Sequence, residues 1–320
     1  MIVPLLFAAS ITLHHVMKVE QPFESAAVSW TADSAVAVRV RVSDDGHTWS
    51  DWMPVAIDDD SSDPSAGRYL SAIAHFGSAK RYAEYTFDGA VDRVSVVMFP
   101  PSVGTDFSPS GRLKPAATLT VRSRTDWGCP DGENSPLWTP QHTVVTHAVV
   151  HHTAGANSVA SWDAELRNIW YLHTFTNGWG DIGYNYLIDP NGTIYEGRAG
   201  GEGIIGAHFS CRNSNTVGVA LLGTFTGTPP TDAALATLRQ LLTELCRKNG
   251  IDPTAIVHHP SSGLNLPTIL GHRDGNVPGA TCTITECPGD VLYSMLTVMR
   301  SQLFEILNTP IPPRRRAARP

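Results

Sequence analysis

Two hydrophobic periodicities divide this 320-residue sequence. Over residues 25–100 apolar side chains alternate with polar ones, most strictly at 35–42, where every second residue from 36 onward is valine. A period of two is typical of half-buried β-strands. Several short strands between turn signals predict a small all-β, sandwich-like domain, and we place Trp49 and Trp52 in its core.

Beyond residue 119 strands and helices alternate. Residues 143–151 form a β-branched run typical of a buried strand, and residues 269–272 form a shorter one. Residues 231–249 carry leucines at helical spacing and end at Asn-Gly, a helix stop signal. The alternation predicts an α/β domain with a mixed β-sheet flanked by helices.

The predicted organisation has five segments. They are an N-terminal signal or strand (1–24), an all-β accessory domain (25–100), a Pro-, Ser- and Gly-rich linker (101–118), the α/β domain (119–308) and a basic tail (309–320). Residues 1–13 are apolar like the core of a signal peptide but lack a basic start. We expect export, to the outside of the cell or the periplasm.

Charge narrows the choice of partners. The net charge is −7 and the isoelectric point is about 6.0, which argues against nucleic acid as a partner. No apolar stretch reaches the roughly 18 residues that a membrane-spanning helix needs, so we expect no integral membrane protein. A monomer is expected.

Three segments place metal-ligand residue types at strand ends or in loops. They contain the pair His151-His152, then His272, then Cys287. Two imidazoles and a thiolate with an open fourth position suit catalytic zinc, whereas Mg²⁺ or Ca²⁺ would call for oxygen ligands. The alternatives are histidines that only form hydrogen bonds and a Cys287 that sits in a disulfide.

Together with neighbouring motifs, these segments resemble the type 2 amidase family, which includes peptidoglycan recognition proteins. The matching stretches are VVHHTAG at 149–155, GWGDIGYNYLIDPNGTIYEGR at 178–198, GAH at 206–208, SNTVGVALLG at 214–223, GHRD at 271–274 and TECPGD at 285–290. They occur in order across nearly the whole second domain. The resemblance implies a mixed sheet flanked by helices, with a zinc site in a substrate groove.

Carried over position by position, the resemblance implies roles for ten residues. The implied zinc ligands are His151, His272 and Cys287, the implied catalytic residues are Tyr184 and Thr285, and the implied substrate-binding residues are Thr153, Trp179, Arg198, His208 and Asn213. His152 should point to the other side of its strand. Non-catalytic members usually lose the cysteine ligand, so its presence favours an enzyme.

The cysteines leave one choice open. Fourteen residues separate His272 from Cys287, more than in common members of the family, and the additional stretch contains Cys282 as a rival ligand. Cys287 is preferred because Pro-Gly-Asp follows it. The four other cysteines would then form two disulfides in an oxidising compartment, and we predict the pairs Cys211–Cys246 and Cys129–Cys282.

The function implied is that of a zinc-dependent N-acetylmuramoyl-L-alanine amidase, with peptidoglycan or muropeptides as its partner. It would hydrolyse the amide between the lactyl group of N-acetylmuramic acid and the L-Ala of the stem peptide. The alternatives are a non-catalytic peptidoglycan-binding protein and a zinc peptidase acting on the stem. No His-Glu-x-x-His motif is present in the sequence, which argues against a zinc peptidase.

Overall fold

The computed structural model describes residues 15–59, 61–101, 119–277 and 284–309. The predicted signal segment over 1–13, almost all of the predicted linker, Cys282 and the basic tail lie outside these ranges. Among the described helices, none is long and apolar enough to cross a membrane.

The N-terminal part, which we call the β region (residues 15–101), is all-β as predicted. Its strands are β1 His15–Thr31, β2 Val38–Ser43, β3 Met53–Val55, β4 Arg68–Leu70, β5 Ala74–Phe87 and β6 Asp92–Phe99. They form one antiparallel sheet of order β3-β2-β5-β1-β4, with β6 also paired to β1. The long, irregular β1 contacts three other strands, so the sheet curls around a core of its own.

The tryptophans of the β region differ from the prediction. Trp49 and Trp52 are half-buried, and their ring centroids lie 5.0 and 4.7 Å from the guanidinium carbon of Arg41. Arg41 in turn pairs with Glu84 at 2.6 Å. The prediction that both rings lie in the core was wrong, because both are half-buried and pack on the charged side chain of Arg41.

The second part, which we call the α/β region (residues 119–309), is built on a mixed sheet. Its strands are β7 Val121–Arg122, β8 His147–His152, β9 Tyr186–Ile188, β10 Ile194–Glu196, β11 Thr216–Leu221 and β14 Ile269–Gly271, with β12 Ile256–His258 and β13 Asn265–Pro267 as a separate hairpin. The sheet order is β14-β8-β11-β9-β10-β7, and only the β9–β10 pair is antiparallel. Parallel strands buried at the centre explain the continuous apolar runs in the sequence.

Helices cover both faces of this sheet. They are α1 Trp162–Tyr171, α2 Asp232–Asn249 and α3 Asp290–Asn308. The α2 and α3 helices pack on one face with Ala148 and Val150 of β8, whereas α1 packs on the other. Capping fixes two helix starts, since the side chains of Ser161 and Thr231 accept hydrogen bonds from backbone N–H groups three residues on.

The β region packs directly against α1. Ala27, Leu70, Ile73, Val97 and Phe99 share one buried cluster with the inward side chains of that helix. Polar contacts flank this apolar contact: Asn168 donates to Ser25, and Nε2 of His75 lies 3.2 Å from a carboxylate oxygen of Glu165. The two regions therefore share a buried contact on the α1 side of the second sheet.

Candidate metal centre and groove

Two parallel strands bring the predicted ligands together. β8 and β14 are neighbours with Val150 opposite Gly271, so His272, the next residue, follows β14 at the end where His151 lies. Side chains alternate along β8, which puts His151 on the α1 side of the sheet and His152 on the other. His152 accepts a hydrogen bond from the backbone N–H of Phe225, a residue of the opposite core.

The ligand set His151, His272 and Cys287 is compact and buried. Its candidate ligand atoms lie within 4.8 Å of one another, and Nδ1 of His151 lies 3.5 Å from Sγ of Cys287. Two donors on a tetrahedral zinc ion, at typical Zn–N and Zn–S lengths, would be about 3.6 Å apart. The residues present therefore fit a zinc ion, in spacing and in donor chemistry.

Local hydrogen bonds hold Cys287 in place. The Thr285 hydroxyl accepts a hydrogen bond from the Cys287 N–H at 2.9 Å. Asn276 in turn donates to the carbonyl of Thr285 and accepts from its N–H. Asn276 thus joins the two ends of the segment that contains Cys282, the rival ligand outside the described residues.

His208 contacts the His151 ring through the nitrogen that does not face Cys287. Its Nδ1 is 3.0 Å from Nε2 of His151, so that ring has one nitrogen facing Cys287 and the other facing His208. A Cβ at Gly218 would lie 2.5 Å from the His208 ring and one at Gly206 only 2.3 Å away, so both positions need glycine. Contacts of this kind fix the orientation of a ligand ring.

The predicted catalytic tyrosine lies beside the metal centre. Tyr184 is buried, with its ring centroid 5.2 Å from that of His151 and 5.5 Å from that of His173. Thr153 lines the same small cleft and accepts a hydrogen bond from the N–H of Gly223. The structure brings Tyr184 and Thr153 together at the side of the metal centre that faces α1.

The other predicted groove residues divide into two kinds. Trp179 is half-buried and lines a cavity together with His208 and Asn213, and Asn213 accepts from two backbone N–H groups, including that of His208. Arg198 is buried, and its guanidinium donates to the carbonyls of Ile182, Ile205 and Trp179. Burial lowers its pKa to about 10. Arg198 therefore stabilises the loops that contain Trp179, Ile182 and Ile205.

The cysteines correct one prediction. Cys211 and Cys246 are both free thiols, so the predicted Cys211–Cys246 disulfide was wrong. Cys246 faces the core from α2, where burial raises its pKa to about 12, whereas Cys211 is exposed in a loop with a positive φ of 61°. Cys129 is also a free, buried thiol, and its predicted partner Cys282 lies outside the described residues.

Sequence reasoning missed several buried polar residues that stabilise the loops around the candidate site. Arg124 and Asp181 form an ion pair at 3.1 Å with both side chains fully buried. Asp181 also accepts from the N–H groups of Ile182 and Ala199. Asn185, equally buried, accepts from the N–H of Gly218 and donates to two carbonyls of the loop before His208. Both Asp181 and Asn185 stand in the GWGDIGYNY stretch, where the motif itself was the available signal.

Comparison with known proteins decides the family. A profile described as N-acetylmuramoyl-L-alanine amidase matches residues 141–290. Peptidoglycan-recognition protein SC2 of Drosophila simulans is 31% identical over 178 residues, which cover 55% of this chain and 84% of that protein. The chain belongs to the family of type 2 N-acetylmuramoyl-L-alanine amidases and peptidoglycan-recognition proteins.

Some relatives in this family are named peptidoglycan-recognition proteins and others are named amidases. The N-acetylmuramoyl-L-alanine amidase of Homo sapiens is 36% identical over 153 residues, 46% of this chain but only 23% of the human protein. Among solved structures, Drosophila PGRP-LB aligns with 56% of this chain and 94% of its own, at 28% identity and a TM-score of 0.43. The residues that the family profile matches, 141–290, all lie in the α/β region, so the β region is outside the profile match.

Proposed function

We propose that this protein is a zinc-dependent N-acetylmuramoyl-L-alanine amidase that acts on peptidoglycan or muropeptides outside the cytoplasm. The observation that carries the proposal is the buried set His151, His272 and Cys287, whose candidate ligand atoms lie within 4.8 Å of one another. The amidase relatives in the family support the same reaction.

In this proposal the scissile amide joins the lactyl carbonyl of N-acetylmuramic acid to the nitrogen of L-Ala. A zinc ion, when bound, supplies Lewis-acid activation of the carbonyl and of the attacking water. Hydrolysis adds water across the C–N bond, leaving a lactyl carboxylate and a free peptide amine. The three ligand residues, all buried, fix the place of the reaction next to Tyr184.

The chain's own residues then act on the substrate carbonyl. Tyr184 carries a phenol O–H, which donates a hydrogen bond to the oxygen as it gains negative charge. Thr285 holds the backbone of Cys287 through its oxygen, and its O–H donates to the same developing charge. His208 keeps the His151 ring in one orientation through the 3.0 Å contact between the two rings.

The test is product analysis on the full chain. Incubation with zinc and a disaccharide–peptide muropeptide should release the intact stem peptide with a free L-Ala amine. A peptidase would instead shorten the stem and leave it attached to the sugar. Tight muropeptide binding without either product would favour the non-catalytic recognition protein.

A further inference from the structure

A cavity of about 390 Å³ lies between the β region and the α/β region, and the family profile, which matches residues 141–290, does not include its β-region wall. One wall comes from the amidase groove, with Asn177, Trp179, His208 and Asn213. The opposite wall comes from the ends of β1, β4 and β6 and the loop at 61–63. This volume lies within the range of roughly 300–1,000 Å³ that small-molecule sites occupy.

The cavity adjoins the candidate metal centre through His208. His208 lines it, and Nδ1 of His208 is only 3.0 Å from Nε2 of the ligand His151. An extended peptide advances about 3.3 Å per residue, so the first few residues of a substrate held at the metal centre would reach this space. The apolar packing of the β region on α1 holds the second wall in position.

Arg93 in the β-region wall lies at an irregularity in the pairing of β1 with β6. Between β1 and β6 the register changes from Ser29 opposite Ser95 to Thr31 opposite Asp92, so β6 holds one additional residue there. Arg93 lies in this bulge and has a positive φ of 48°, which non-glycine residues rarely adopt. Bulges redirect a side chain and often lie beside binding sites, and Arg93 lines the cavity.

The β-region wall of the cavity contains two arginines, Arg68 and Arg93. Arg68, the other arginine of this wall, pairs with Asp63 at 2.9 Å. Among the described residues, no acidic side chain forms an ion pair with Arg93. The wall therefore presents one net positive charge, in a protein whose formal net charge is −7. Such a charge favours a carboxylate ligand, because arginine recognises carboxylates with two parallel donors.

We propose that the β region completes the substrate groove and that Arg93 binds a carboxylate of the peptidoglycan stem peptide in this cavity. The inference rests on the proposed function only for the identity of the substrate. The β region thereby selects stem peptides whose carboxylates are free over stem peptides whose carboxylates are amidated.

The test measures muropeptide binding to the full chain carrying Cys287→Ser, so that turnover does not consume the ligand. Two ligands are compared, one with free stem carboxylates and one with the same carboxylates amidated. Adding Arg93→Gln should raise the Kd for the free form about tenfold, as expected for a lost hydrogen bond to a charged group, and leave that for the amidated form nearly unchanged. Arg93→Lys should retain part of the preference, and Arg39→Gln, at an exposed ion pair elsewhere in the β region, should change neither Kd.

An unchanged Kd in Arg93→Gln, or an equal rise for both ligands, would overturn the inference. If Cys287→Ser does not fold, the KM of the zinc-loaded protein with each muropeptide gives the same comparison, with kcat expected to stay constant. Hydrolysis by the unmodified chain is recorded separately. Absent hydrolysis with the predicted pattern of Kd values would remove the amidase proposal alone, and hydrolysis without that pattern would remove the inference alone.

Discussion

Nδ1 of His151 lies 3.5 Å from Sγ of Cys287, although 136 positions separate the two residues in the sequence. His151 is near the end of a central strand, and Cys287 precedes the last helix by a short turn. Imidazole and thiolate can both bind zinc through a lone pair, and these two buried groups are held at a spacing that suits a shared ion. The proposed chemistry depends on this relationship.

The hydroxyl of Tyr184 should matter for the reaction and little for the fold. We expect Tyr184→Phe to lower kcat by about 10²-fold, the size of effect seen when one oxyanion donor is removed. Zinc content and melting temperature should stay unchanged, since the ring still packs on His151. The measurement is steady-state hydrolysis of a muropeptide. Tyr171→Phe on α1, whose ring contacts Phe99, is the control, and an unchanged kcat in Tyr184→Phe would remove this residue from the mechanism.

The buried ion pair beneath the groove should dominate local stability. Asp181→Ala leaves the fully buried Arg124 without its carboxylate, and we expect a loss of about 3–5 kcal/mol in the free energy of unfolding. Asp88→Ala removes the partner of the exposed Arg39 and should cost no more than about 1 kcal/mol. Denaturant unfolding of both variants measures the difference. Equal, small losses would contradict the structural role given to Asp181.

Contact between the two regions should weaken as pH rises. Burial alone would lower the pKa of His75, but the interaction with Glu165 and the charge of Glu24 outweigh it, so the pKa is raised. A histidine with a raised pKa in the folded state stabilises fully below its unfolded pKa of about 6.5, and this contribution is lost as pH rises through the folded value. The unfolding free energy of the unmodified protein should therefore be larger than that of His75→Gln. This difference should be larger at about pH 6 than at about pH 8.

Urea unfolding at both pH values checks this prediction. His47→Gln, in an exposed loop of the β region, is the matched control and should show no such trend. A difference between the protein and His75→Gln that stays constant with pH would mean that the ion pair with Glu165 does not stabilise the contact.

Periodicity predicted the elements because it reports which side of each element is buried. Val38, Val40 and Val42 are all buried in β2. The leucine stripe of α2 faces the core from a helix that begins after Thr231 and ends before Gly250. The ordered motifs of the family added the ligand set, which spacing alone left open. Local sequence carries both kinds of information.

Periodicity does not say what covers a buried face. It gave no sign that Phe99 and Ile73 of the β region would pack against α1. The disulfide prediction failed for a related reason, because pairing depends on direction in space. Cys246 points from α2 into the core, and Cys211 lies in an exposed loop. The proposed role of Arg93 arises from the same kind of long-range packing.

Zinc content and release of stem peptide, measured on the same samples, test whether His151, His272 and Cys287 hold a catalytic zinc ion. The purified chain should contain about one zinc ion per molecule and convert a disaccharide–peptide into free sugar and intact peptide. Cys287→Ser should lose both the zinc and the release, whereas Cys129→Ser, at another buried thiol, should keep both. Full zinc content and full release in Cys287→Ser would contradict the assignment of Cys287 as a ligand of a catalytic zinc ion.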